Sequence, residues 1–252
     1  MVHSVSSLLS VRDVTISYPT ESGLFTAVEG VSFSIGEGEK FVILGPSGCG
    51  KSTLLKAVGG FIAPSRGVIE LEGRPVSRPG PDRVVVFQEF DQLLPWRTVM
   101  GNVVYPLRVA RRMAEGSARE AATRHLDMVG LTKFAATYPH QLSGGMKQRV
   151  AIARSLALDP KMLLMDEPFA SLDALTRRKM QDDLLMIWQA TRKTILFVTH
   201  SIEEAVVLGD RVLILSAGPG RVRRILDNPA AGHRETEAVM KIQRDVQEIL
   251  GR

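Results

Sequence analysis

The sequence predicts an α/β fold: a mostly parallel core sheet, an N-terminal antiparallel β subdomain and an inserted helical subdomain. Three observations predict it. The runs KFVILG, KMLLMDE, TILFVTH and RVLILSAG are continuously apolar rather than alternating, as strands buried on both faces are. Helical segments separate these runs, and strands that alternate with helices build a parallel sheet. From about Leu93 to Leu158 the pattern changes to helical periodicity, with Ala- and Arg-rich stretches such as RVARRMAEGSAREAATRHLDMVG.

In chain order, LLSVRDVTISY and FTAVEGVSFSIGEG alternate apolar and polar residues and predict two strands with a turn around Gly23. KFVILG then runs straight into a glycine-rich loop and the helix KSTLLKAVGG, and GVIELEGRPV reads as a short strand and turn. VVVFQE is a strand ending near Gln88. The expected layout is one domain over 1–252. Its core and β subdomain cover about 8–92, the helical subdomain about 93–158, the continued core about 159–227, and a C-terminal helix about 234–250. In that helix Val239, Ile242, Val246 and Ile249 recur at spacings of three and four, an amphipathic face. Such a face can pack on its own domain or meet a partner, and packing is the expectation. There is no internal repeat and no low-complexity linker.

Composition bounds the function. A chain of 252 residues with 44% hydrophobic and 23% charged residues can bury a sizeable core. The net charge of +5 permits an anionic ligand or a membrane-surface partner. Its basic residues are scattered apart from short groups such as Arg111-Arg112 and Arg221 to Arg224, which read as solvated faces, and no stripe suggests nucleic acid. A single cysteine, Cys49, excludes an internal disulfide framework and fits a reducing compartment. MVHSVSSLLSVRDV lacks the basic start and apolar length of a signal peptide, and no segment reaches the roughly 18–20 apolar residues of a membrane span. The expected location is cytoplasmic, with any membrane role peripheral.

The chemistry is concentrated in a few motifs. GPSGCGKST, Gly45 to Thr53, fits G-x-x-x-x-G-K-[ST] and lies between a strand and a helix. The candidate phosphate-binding residues are therefore Gly45, Pro46, Ser47, Gly48, Cys49, Gly50, Lys51, Ser52 and Thr53. Glycines let backbone N–H groups converge on phosphate oxygens, Lys51 adds a point charge, and the Ser52 hydroxyl suits Mg²⁺. Cys49 reads as a small filler whose backbone matters, against the alternative of a redox role. KMLLMDEP delivers Asp166 to a strand end as a Mg²⁺ ligand, partly through water, and Glu167 as a carboxylate able to polarise an attacking water. His200 ends another strand, where it could contact the γ-phosphate or be structural. Gln88 could reach Mg²⁺ or the water. Downstream, Ser143, Gly144 and Gly145 open a further helix with the makings of a phosphate site but no lysine. They are half a site.

These motifs, in this order, resemble the ATP-binding cassette ATPases over nearly the whole chain. The resemblance implies a P-loop NTPase fold of the ABC nucleotide-binding type, with ATP and Mg²⁺ as cofactors. Gln88 takes the Q-loop position, LSGGMKQ at Leu142 to Gln148 the signature, and Asp166 and Glu167 the Walker B and catalytic carboxylates. SLD at Ser171 to Asp173 matches the D-loop, His200 the switch histidine, and Tyr18 the aromatic that stacks on adenine. In such proteins the signature of one copy closes over ATP held by a second, which accounts for the half site and implies a head-to-tail dimer, expected here to be a homodimer.

LLPW after the Q-loop, YPHQLSGGMKQRVAIARSLA and DEPFASLDALTR look like the nitrate/sulfonate/taurine branch of importers. That branch implies an ATPase on the cytoplasmic face of the inner membrane, serving a separate permease and, indirectly, a solute-binding protein. Leu93, Leu94, Pro95 and Trp96 are the expected permease-docking segment, with a buried core cluster as the alternative. Two details depart from the branch: EFDQ precedes LLPW, and Ser201 follows His200 where an acid is usual. The rival readings are a soluble ABC ATPase acting on DNA or the ribosome, an importer ATPase for a different small solute, and a small-molecule kinase. The first lacks its long insertions here, and the last has no use for LSGGMKQ.

Overall fold

The computed structural model describes residues 7–21, 23–88 and 92–251. In chain order its elements begin with β1 (Leu9–Thr20), β2 (Gly23–Ile35), β3 (Lys40–Leu44), α1 (Lys51–Val58), β4 (Arg66–Leu71), β5 (Arg74–Pro75) and β6 (Arg83–Val86). Then come α2 (Val99–Val109), α3 (Glu115–Met128), α4 (Gly144–Ala157), β7 (Met162–Asp166), α5 (Ala174–Thr191), β8 (Thr194–Thr199), α6 (Ile202–Leu208), β9 (Arg211–Leu215), β10 (Val222–Asp227) and α7 (Glu237–Leu250). Two compact units divide the chain, one holding residues up to Gly80 and from Lys193, the other Pro81–Arg192.

In the first unit β1 and β2 form the expected antiparallel hairpin, and β4 and β5 extend it in the order β2-β1-β4-β5. Leu9, Val11, Val14 and Ile16 of β1 and Val28, Val31, Phe33 and Ile35 of β2 are buried, which is the alternation the sequence carries. The parallel part is centred on β3, which pairs in parallel with both β8 and β9. Every residue of β3 and of β8 is buried, as strands covered on both faces must be. Even Lys40 is drawn in, its ammonium 2.6 Å from Asp210. β10 adds antiparallel to the outer side of β9 and was not expected from its sequence. α7 packs onto its own unit: Val239 joins a cluster with Val206 and Ala230, and Ile202 and Ile242 lie against it.

In the second unit β6 pairs in parallel with β7. Helices α2, α3 and α4 pack against one another, and α4 also meets β6 and α5. Val103 and Leu107 of α2, Ala118, Ala122 and Leu126 of α3, and Val150, Ile152 and Ala153 of α4 are all buried. The alanines allow the helices to approach closely, and this explains why an Ala-rich stretch here is core rather than linker.

Candidate nucleotide site

In the first unit, β3 delivers the chain to Gly45 and α1 begins at Lys51, so the glycine loop spans a strand end and a helix start. Two residues show why glycine is required. Gly50 has φ +92°, and a β-carbon there would lie 2.6 Å from the Ala27 carbonyl oxygen. At Gly45 it would lie 2.7 Å from the Cys49 sulfur. Cys49 is itself fully buried against that position, a packing role. No side chain caps α1 at Gly50, so the helix start presents backbone N–H donors with the positive end of its dipole. Lys51 is 4% exposed and donates to the carbonyls of Gly45 and Pro46, both at 3.0 Å, which holds its ammonium inside the loop. The loop thus concentrates donors and one cation, with Ser52 and Thr53 half-buried in the first helical turn.

His200 is exposed at the end of β8. Its neighbours make the turn stiff: the Thr199 hydroxyl donates to Glu204 at 2.5 Å and accepts from the Ser201 N–H at 3.0 Å. Ser201 in turn caps α6, accepting from the Glu204 N–H at 3.3 Å. The departure at Ser201 therefore preserves the capping chemistry an acid would offer. Tyr18 is half-buried near the end of β1. Sequence reasoning missed Gly220, where a β-carbon would lie 2.1 Å from the Cys49 carbonyl and whose N–H donates to Ala27 at 2.9 Å. It backs the glycine loop, and in sequence SAGPGR signals only a turn.

In the second unit, β7 carries Asp166 and Glu167 out of a buried strand, both half-buried. Glu167 has φ +44°, a left-handed conformation that costs a non-glycine residue roughly 1–2 kcal/mol. Such strain concentrates where a side chain must be aimed. The chain then turns through the fully buried Phe169 to Asp173, the N-cap of α5. Arg177 holds this segment, donating to the carbonyls of Phe169 at 3.3 Å and Leu172 at 2.8 Å. The N–H and side chain of Thr176, bonding to the Asp173 carboxylate, keep its pKa below the usual range.

Ser143 caps α4, its hydroxyl oxygen accepting from the Met146 N–H at 3.3 Å, which leaves its own proton to donate. Gly144 follows half-buried, and Gly145 is buried, with a would-be β-carbon 2.9 Å from the Thr176 methyl. The signature glycine therefore also has a packing reason, close approach to the start of α5.

Gln88 is exposed just after β6, and Glu89, Phe90 and Asp91 of EFDQ lie outside the described residues. α4 clamps the chain on both sides of them. Gln92 exchanges bonds with the Phe87 backbone at 3.2 and 2.9 Å and donates to Gln148 at 3.3 Å. Arg154, whose pKa burial lowers, donates to the Gln92 carbonyl at 2.8 Å.

The LLPW segment divides. Leu93 is 3% exposed and belongs to the core, whereas Trp96 is 70% exposed. Asn102, fully buried on α2, pins the loop beneath the tryptophan. Its carbonyl accepts from the Leu94 N–H at 2.8 Å, and its amide donates to the carbonyls of Leu94, Arg97 and Thr98 at 3.1 Å. Arg97 lies over the Tyr105 ring at 4.5 Å, and both line a cavity of about 560 Å³ together with Arg108, Glu115 and Arg119.

The sequence profile of the ABC transporter family matches residues 28–170. This chain belongs to that family. It is 45% identical over 92% of its length to the nitrate import ATP-binding protein NrtD of Synechococcus elongatus, covering 85% of that protein. It is 49% identical over 90% of its length to the taurine import ATP-binding protein TauB of Yersinia pestis, covering 88% of it. Among solved structures it resembles a dimeric ATP-binding cassette in a post-hydrolysis state bound to ADP and Pi, with a TM-score of 0.76 and 35% identity. That match covers 87% of this chain and 98% of the other. Membership makes the chain an ATPase coupled to transport, with the P-loop NTPase fold of an ABC cassette.

Proposed function

We propose that the chain powers uptake of a small oxyanion-type solute, nitrate-, sulfonate- or taurine-like, through a separate membrane permease at the cytoplasmic face of the inner membrane. A solute-binding protein would deliver the cargo. No helix among the described residues is long and apolar enough to cross a membrane. The observation that carries the docking part is Trp96: a large aromatic held out in solvent on a loop whose backbone Asn102 pins. Exposed aromatics on rigid loops are what interface hot spots are made from.

In the reading we propose, Gly45 to Thr53 bind the ATP phosphates and Tyr18 stacks on adenine. Ser52, Asp166 and Gln88 offer a serine hydroxyl, a carboxylate and an amide to Mg²⁺, an all-oxygen set that suits a hard ion. Bound there, Mg²⁺ would neutralise charge on the phosphate oxygens. Glu167 orients and deprotonates the attacking water, His200 contacts the γ-phosphate side, and Gln88 senses it. Ser143, Gly144 and Gly145 close over the ATP of a second, identical copy. The γ-phosphate bridges the pair, and its loss on hydrolysis releases the bridge, so the dimer opens because one state has lost its differential contacts.

The docking claim is tested by purifying the tagged chain from its host membranes in mild detergent. A multi-span permease should co-purify at near-equal amount and be lost with Trp96→Ala, while the far-UV spectrum and permease-free ATPase rate stay unchanged. Recovery of ribosomal or DNA-repair partners in place of a permease would reject the transport role.

A further inference from the structure

The β1–β2 hairpin carries a second aromatic that neither motif analysis nor family resemblance singled out. Tyr18 pairs directly with Phe25 across the two strands. Directly opposed residues of an antiparallel pair project from the same face, with β-carbons about 5 Å apart. The register is pinned on the opposite face by the adjoining pair, where the Ser17 and Thr26 hydroxyls are 3.0 Å apart. At the tip Thr20 closes the turn onto the Gly23 carbonyl at 2.9 Å. Phe25 is nevertheless 54% exposed, and Leu24 beside it 72%. A single exposed apolar residue needs no explanation, but this one is held beside a half-buried tyrosine on a hairpin with a fixed register.

The hairpin is also built into the phosphate loop. The pairing jumps from Ile16↔Val28 to Ser17↔Thr26, so Ala27 is a bulge residue. The Ala27 carbonyl accepts from the Gly220 N–H at 2.9 Å, and a β-carbon on Gly50 would meet the same oxygen at 2.6 Å. Bulges next to a site re-aim the strand that follows or precedes them. Phe25 lies two positions before Ala27 in β2, about 7 Å of strand from the backbone that backs the P-loop.

We propose that Phe25 and Tyr18 together form a two-ring aromatic platform for the nucleobase, with Phe25 a nucleotide-binding residue that acts on the base and not on the phosphates. The proposal rests on the reading of Tyr18 as the adenine-stacking residue. Contacts of this kind change affinity without recognising a particular hydrogen-bond pattern, so the platform accepts purine bases by their faces.

The test measures binding of a non-hydrolysable ATP analogue and of inorganic tripolyphosphate to the full chain and to Phe25→Ala, Phe25→Trp and Tyr18→Ala. Phe25→Ala should weaken the nucleotide about tenfold, the size of a modest stacking contact. It should leave tripolyphosphate unchanged, and the new tryptophan of Phe25→Trp should change its fluorescence on nucleotide binding but not on tripolyphosphate binding. Unaltered nucleotide affinity in Phe25→Ala with a loss in Tyr18→Ala would overturn the proposal and leave the Tyr18 reading standing. No loss in either variant would overturn both. An equal loss for nucleotide and tripolyphosphate would place the effect in the P-loop and also overturn the proposal.

Discussion

Asn102 gives the sharpest stability prediction, because a single buried amide organises the segment that should meet the permease. Asn102→Ala removes an acceptor from the Leu94 N–H and two amide protons shared among the carbonyls of Leu94, Arg97 and Thr98. The site is fully buried, so water does not simply replace the amide. With three effective hydrogen bonds at about 1 kcal/mol net each, the expected destabilisation is about 3 kcal/mol. With a urea m-value of about 3 kcal/mol/M, that moves the unfolding midpoint down by about 1 M. Equilibrium unfolding followed by far-UV circular dichroism reads the shift. A second assay compares ATP hydrolysis with and without the reconstituted permease. The variant should keep its permease-free rate within about twofold and lose most of the stimulation, since the Asn102 side chain bonds to Leu94, Arg97 and Thr98, the backbone of the docking segment. A midpoint unchanged within about 0.2 M would refute the hydrogen-bond argument. Full stimulation in a destabilised variant would refute the link between loop order and docking.

Three further outcomes are expected. Gly220→Ala places a β-carbon 2.1 Å from the Cys49 carbonyl, a backbone atom that cannot swing away, and should cost roughly 1–3 kcal/mol as well as weakening nucleotide binding; unaltered affinity by calorimetry would contradict the role of Gly220 in shaping the loop. Lys51→Ala should weaken binding of ATP and of tripolyphosphate alike, by about tenfold to a hundredfold for loss of a charge-assisted contact, and equal affinity for wild type and variant would contradict the placement of the ammonium. The Asp173 carboxyl has a folded-state pKa below its unfolded value, so its capping contribution is present above about pH 4 and is lost as pH falls through the folded pKa. The difference in urea midpoint between wild type and Asp173→Ala should therefore be larger at pH 6 than near pH 2.5; a difference independent of pH would contradict the cap.

The elements that read clearly in the sequence are those whose local pattern and tertiary fate agree. KFVIL and TILFVT became strands buried along their whole length, the alternating N-terminal runs became a hairpin, and Val239 and Ile242 turned the last helix toward α6. β10 was not legible. Arg223 and Arg224 occupy its centre, and an edge strand can expose charged side chains without burying an alternate face. The glycine loop stood out in the sequence because phosphate binding would demand glycine, lysine and a helix start in fixed order, and the structure has these residues between the end of β3 and the start of α1. The supports were not. Asn102 reads as an ordinary polar residue in a helix, and its value lies in four contacts with a loop four to eight residues away. Gly220 lies far along the chain from the loop it backs, and the left-handed backbone at Glu167 has no signature in residue type.

The central claim is that each signature motif completes the ATP site of a second copy. The most direct measurement is the molar mass of Glu167→Gln in solution, by light scattering, with Mg-ATP, with Mg-ADP and without nucleotide. A dimer should form with ATP alone and should be abolished when Gly144→Asp is added to place a negative charge where the γ-phosphate should bind. A Glu167→Gln protein that binds ATP and stays monomeric, or a dimer indifferent to Gly144→Asp, would contradict it.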